Sequence, residues 1–294
     1  MPRFYLDLDQ ARGYPELRPL LAVESLELEE YVAPFTDLMR SGFLARVISE
    51  ALGLLRSSTE RFGGSTSELD WLLLRTPRFS LGLRTTPRQA ETFAGLNLPR
   101  PLLVALPNDV MMGFVGHGTA EVELFRSAFP RDQDVFRTDH HLERLGCREV
   151  RDGSILELRA GDDVARFTRT DERLAVLELA ILAPRRLVWN YDPDTLQARH
   201  AASASVEATR TEFAIELFER FAYIEAVPNL LALGRSSPQH WVRWRALTAA
   251  LKLDLRQSLG SLRAATQDDP HPHVRNAARA TLDNLERAGL GAGD

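Results

Sequence analysis

The chain has 294 residues and a mass of 33.0 kDa, with 44% hydrophobic and 26% charged residues, an ordinary globular mixture that argues against long-range disorder and supplies a sizeable core. A net charge of -5 and a pI near 5.9 speak against a nucleic-acid binder that works by bulk charge. A single cysteine, Cys147, excludes an internal disulfide framework, and no apolar run approaches the roughly 20 residues of a membrane helix. The first residues lack a basic-then-apolar leader pattern and carry Asp7 and Asp9 early, so composition points to a soluble cytoplasmic protein without a membrane partner. Lys252 is the only lysine among 36 basic residues, which reflects codon bias in a GC-rich genome.

Taken in chain order, Phe4 to Leu8 alternates as a short strand would. Leu44, Val47, Ile48, Ala51, Leu52 and Leu55 fall on one helical face, which predicts an amphipathic helix from about Thr36 to Arg56. It ends before Phe62-Gly63-Gly64-Ser65, a flexible break. From Trp71 to Tyr191 short apolar runs alternate with Gly, Pro, Asn and Asp, and few gaps could hold a crossover helix. That pattern predicts an antiparallel barrel or sandwich, with His140 to Leu145 as a short helical interruption. Cys147, with no CxxC partner, is expected as a buried thiol, and Asp162 and Asp163 as solvated turn residues. From about Val206 the helical period returns, with Phe213, Leu217, Phe218 and Phe221 on one face. The expected class is α+β, in three parts. An N-terminal mixed segment covers 1–69, an antiparallel β-barrel 70–204 and an all-helical block 205–294.

The helical block repeats itself. Pro238, Val242, Arg243 and Ala246 recur as Pro270, Val274, Arg275 and Ala278 at one offset of 32 residues. The phrase Asp269-Pro270-His271-Pro272-His273-Val274-Arg275 resembles the core phrase of a HEAT repeat, in which the Asp-Pro opens a helix and small alanines allow close packing. That resemblance spans about residues 206–288 and implies stacked helical pairs, either a surface for a protein or peptide partner or a buttress. His271 and His273 flank Pro272 with no third metal ligand nearby in sequence. Trp241 and Trp244, three apart, are expected in the packing of a helix junction.

The β region carries a second likeness. Gly153, then five residues, Arg159-Ala160-Gly161, two residues, Val164, three residues and Thr168 resembles the second cupin motif. Both glycines stand in place, while Arg159 replaces the proline, Val164 the metal-binding histidine and Thr168 the asparagine. No His-x-His of the first motif exists in this region, and His117 with Glu121 is the nearest fragment. The resemblance therefore implies a cupin-like barrel without its metal ligands, holding an organic ligand or acting as scaffold, with no catalytic residue and no cofactor. In it, Gly153–Thr168 is expected as a β-hairpin with Val164 facing inward.

An alternative uses other donors. His141-Leu142-Glu143, His200 and Arg210 resemble the iron-binding triad and co-substrate arginine of the 2-oxoglutarate-dependent oxygenases. That likeness implies Fe(II) held by His141, Glu143 and His200, with 2-oxoglutarate on Arg210. Searches for Gly-x-Gly-x-x-Gly, a Gly-Lys-Ser/Thr loop and Gly-x-Ser-x-Gly are negative. No helix-turn-helix with a basic recognition helix is evident, so nucleic acid is not the expected partner. The leading expectation is a non-enzymatic sensor or adaptor, its barrel holding a small ligand or peptide and its helical repeats contacting a protein.

Overall fold

The structure, a computed structural model, describes residues 6–57, 71–85, 102–127, 134–171, 174–183 and 186–290. It divides into two compact units, Met1–Ala204 and Ser205–Asp294. The expected break at Phe62–Ser65 lies outside the described residues, as do Phe4 and Tyr5 of the expected first strand. Of that strand, Leu6 bridges Leu74, and Leu8 already opens a helix. The helix forms because Asp7 caps it through the Gln10 amide while the Gln10 side chain returns to the Asp7 amide.

Among the described residues, four α-helices open the first unit: α1 (Leu8–Arg12), α2 (Arg18–Ala22), α3 (Leu28–Arg40) and α4 (Phe43–Ser57). The single helix expected from Thr36 to Arg56 is thus two. Ser41 ends α3, its hydroxyl donating to the Leu38 carbonyl and accepting from the Phe43 amide, so the chain turns there before α4 begins. α3 starts earlier than expected because Leu28, Tyr31, Phe35 and Leu38 make its buried face.

Eleven strands follow among the described residues. They are β1 (Trp71–Arg75), β2 (Phe79–Thr85), β3 (Leu103–Val104), β4 (Asp109–Gly116), β5 (Thr119–Ser127), β6 (Leu142–Arg151), β7 (Ile155–Leu158), β8 (Asp163–Thr170), β9 (Leu174–Ile181), β10 (Leu187–Tyr191) and β11 (Ala198–Ser203). They form a five-stranded sheet in the order β1-β2-β9-β4-β7 and two three-stranded sheets, β6-β5-β8 and β11-β10-β3. Every pairing between strands is antiparallel.

Period-two alternation divides the five-stranded sheet between two cores. Met111, Leu177, Leu179 and Ile181 pack with Leu20, Tyr31, Phe35 and Phe43 under the helices. Their neighbours Val110, Met112, Phe114 and Val176 pack with Ala120, Val122 and Val150 of the β6-β5-β8 sheet. The helices therefore share one core with the sheet, and the layers run helix, sheet, sheet. No described sheet closes on itself. The barrel expectation is replaced by an open layered arrangement, because helices cover one face of the long sheet and a second sheet covers the other.

Two further expectations change. His140–Leu145 is not helical, since β6 runs through Leu142–Arg151 in register with β5. The Gly153–Thr168 stretch is not a hairpin. β7 pairs with β4 while β8 pairs with β5, so the turn between them hands the chain from one sheet to the other. Gly153 and Gly161 adopt φ of 77° and 74°, where a side chain would be strained, which accounts for glycine at both corners.

The second unit holds α5 (Val206–Arg220), α6 (Val227–Ser236), α7 (His240–Leu253), α8 (Leu255–Asp268) and α9 (Pro272–Arg287). Consecutive helices from α6 onward pack on one another, and α5 packs on α7. Their core contains Ile215, Leu230, Val242, Ala246, Leu262 and Ala278. Trp241 and Trp244 pack, partly buried, against it. No helix among the described residues is long and apolar enough to cross a membrane.

Candidate functional site

In the β unit, the position of the cupin motif's histidine is apolar in its surroundings as well as in identity. Val164 is 1% exposed and packs with Leu103, Phe125, Leu142, Trp189 and Tyr191. Asp163 beside it is buried, contrary to the expected solvated turn. Its Oδ1 accepts from Arg126 Nε at 2.9 Å and its Oδ2 from the Arg159 amide at 2.9 Å, so the carboxylate ties the Arg159–Asp162 turn to β5. The Arg159 side chain pairs with Glu29 of α3. The Thr168 hydroxyl donates to Glu121 at 3.3 Å. Cys147 is exposed on β6, not buried. Its thiol is pushed up by desolvation and by the neighbouring Glu121 and Glu123 carboxylates, which keeps it protonated and weakly nucleophilic. His117 and Glu121 are both exposed.

The donors of the oxygenase likeness do not gather. His141 bridges Gln197, Glu143 stands opposite Arg126 on β6, and His200 stands opposite Asn190 on β11; all three are exposed. They are not a set whose ligand atoms lie within 4.8 Å of one another, so they do not fit an iron ion held by all three. Arg210 lies exposed on α5, in the second unit. A neighbour in sequence is buried instead. The His140 ring stacks on Trp189 at 4.3 Å, and Phe136 stacks on the same indole at 5.6 Å. Burial lowers the His140 pKa, against the opposing pull of Asp139, so the imidazole is neutral at physiological pH.

The helical unit repeats its hydrogen bonds as well as its residues. Arg243 Nη1 donates to the Ser237 carbonyl at 2.8 Å, and Arg275 Nη1 to the Asp269 carbonyl at 2.6 Å. Val242 and Val274 are both buried, as are Ala246 and Ala278. Asp269, at the position of Ser237, adds a link between the two copies. Its carboxylate takes both Arg243 Nε and Nη2 at 2.8 Å and the His271 amide at 2.8 Å. Burial alone would raise the Asp269 carboxyl, but these donors outweigh it and hold the group below its usual value.

Three imidazoles meet beside this link. His240 begins α7, His271 caps α9 and His273 lies in its first turn. The His240 and His271 rings stack at 3.8 Å with planes 9° apart. His273 lies 6.3 Å from the first and 6.4 Å from the second. The third imidazole that sequence spacing did not supply is His240, 31 residues before His271 and outside the repeat register.

The outer side of α5 differs from expectation too. Phe213 is 61% and Phe221 77% exposed, and Val206, Tyr223 and Ile224 are also exposed. The fully buried residues are Ala208 and Ile215, and of the expected face Phe218 packs, partly buried, against the same core. Ala208 and Ile215 also lie seven apart, a helical spacing that marks the buried side.

No protein-family model and no curated protein matches this chain. Among solved structures, it is similar over 43% of its length to a hydroquinone 1,2-dioxygenase crystallised with Cd2+ and 4-hydroxybenzonitrile, covering 70% of that chain, at 13% identity and a TM-score of 0.26. A likeness of that size carries no argument about fold or activity.

Proposed function

We propose that the chain is a non-enzymatic cytoplasmic adaptor or sensor, in which HEAT-like helical repeats contact a protein partner and a cupin-like β unit acts as scaffold or holds a small ligand. The observation that carries this reading is the number of exposed large apolar side chains within Val206–Ile224, namely Val206, Phe213, Phe221, Tyr223 and Ile224. A concentration of large apolar groups at the surface of one short segment is costly in water and marks a contact surface. The apolar surroundings of Val164 support the scaffold half, since that interior offers no metal ligand at the position where the resembled motif carries one.

The test has two arms. A photoreactive residue replacing Phe213 in cells should yield one discrete protein adduct, lost on Phe221→Glu while helical circular dichroism stays unchanged. Purified protein supplied with Fe(II) and 2-oxoglutarate should show no turnover above background. An absent adduct, or turnover lost on His141→Ala and His200→Ala, overturns the reading.

A further inference from the structure

We propose that a second copy of this chain docks on the outer side of α5, the two α5 helices lying antiparallel about a two-fold axis at Leu217. Such a dimer deepens the adaptor reading, on which it rests, by naming the occupant of its contact surface. Phe213, Leu217 and, at the end of the helix, Phe221 follow one another at intervals of four, so they form one ridge along α5. At about 100° per residue, Leu217 stands opposite the buried Ala208. Phe213 and Phe221 are exposed and Leu217 partly so, whereas Ala208 and Ile215 pack into the helical core.

The helical unit calls for a helix at this place. α5 packs on α7 and α7 on α9, so the three lie in one row. The ends of such a row need polar side chains or a cover. On α9, Asn276, Arg279, Asp283 and Arg287 share a helical face and are all exposed, which finishes that end in polar groups. At the other end α5 carries its apolar ridge instead. A further helix laid on the ridge continues the packing that joins α5 to α7 and α7 to α9.

Charge selects α5 of a second copy as that helix. Glu216 and Arg220 pair with each other on one flank of the ridge, and their side chains remain 43% and 73% exposed. An antiparallel two-fold pair keeps this flank on the same side in both copies and reverses its order. Glu216 then comes beside Arg220 of the partner subunit, and the contact occurs twice. In a parallel pair the two flanks lie on opposite sides and these charges do not meet. The axis sets Leu217 on its own copy and Phe213 against Phe221 of the partner subunit, and the opposed helix dipoles favour the same direction.

The purified full chain is sedimented at rising concentration. Wild type should pass from monomer to dimer, and Phe213→Glu should stay monomeric with unchanged helical circular dichroism. Glu216→Arg and Arg220→Glu should each weaken dimerisation at least about tenfold by setting like charges together, and the double variant should restore it. Leu217→Cys on a Cys147→Ser background should cross-link under mild oxidation, because that residue meets its own copy, and Thr209→Cys should not. A wild type monomeric throughout, a dimer unaltered by Phe213→Glu, a double variant no tighter than the single ones, or no cross-link through Leu217→Cys overturns the dimer. If the chain is monomeric while the photoreactive residue replacing Phe213 still captures one other protein in cells, the dimer fails and the adaptor reading stands.

Discussion

Asp163 in the β unit and Asp269 in the helical unit are both buried carboxylates held by arginine, yet they hold different things together. Asp163 binds Arg126, whose side chain is 56% exposed, and an amide of its own turn. It secures a corner where the chain passes from one sheet to another. Asp269 binds Arg243, which is as buried as its partner, and so joins one helical repeat to the next. The contrast follows from the backbone. Strands satisfy their polar groups by pairing, so a sheet needs help only at its turns, while helix ends leave carbonyls and helix starts leave amides unmet at every junction. A buried guanidinium can serve several acceptors at once: Arg243 donates to both Asp269 oxygens and to the Ser237 carbonyl.

Breaking the two links should therefore cost different amounts. Arg243→Met leaves a buried carboxylate without its charge partner and should cost about 3–5 kcal/mol in denaturant unfolding followed by helical circular dichroism. Arg126→Met should cost less, about 1–3 kcal/mol, because the buried Asp163 carboxylate keeps the Arg159 amide and its arginine is half in water. Equal losses would dissolve the distinction between the units.

A comparable loss in the β unit should come from its apolar interior instead. Phe125, fully buried beside Val164 and Trp189, should cost about 3–5 kcal/mol on substitution by alanine. That loss should not change with salt, which separates it from the ionic one.

Acid sharpens the comparison further. Asp269 is depressed in the folded chain, so its contribution is complete above the usual carboxylate value of 3.8 and is lost as pH falls through the lower folded value. Wild type should lose helical stability across that window, by less than Arg243→Met does, since a protonated carboxyl still accepts hydrogen bonds. In Arg243→Met the same acid-induced loss should be absent. A pH titration of the two proteins that runs in parallel would show that Asp269 does not carry the effect.

The smallest effect belongs to the outer side of α5. Phe221→Ser, at an exposed site, should change stability by no more than about 0.5 kcal/mol in thermal melting. A loss of several kcal/mol would mean that this aromatic is part of the helical core.

Periodicity alone disclosed the α+β class, the short antiparallel strands, the return to helix near Val206 and the equivalence of Val242 with Val274. These are local: which residues share a helical face, or alternate along a strand, depends only on the backbone repeat. The same signal misled where it had to choose between faces. On α5 both sides carry apolar groups, and Ala208, Ile215 and the partly buried Phe218 pack on the core while Phe213 and Phe221 stay exposed. It also could not say which sheet a strand joins, so β7 and β8 read as one hairpin although the corner at Arg159–Asp162 sends them to different layers. His240 and His271 stand 31 residues apart with no shared register, and only the stacking of α7 on α9 brings their rings to 3.8 Å. Sequence determined the elements because their rules act over a few residues; tertiary packing decided the faces, the sheet partners and the imidazole cluster because those depend on which distant surfaces meet.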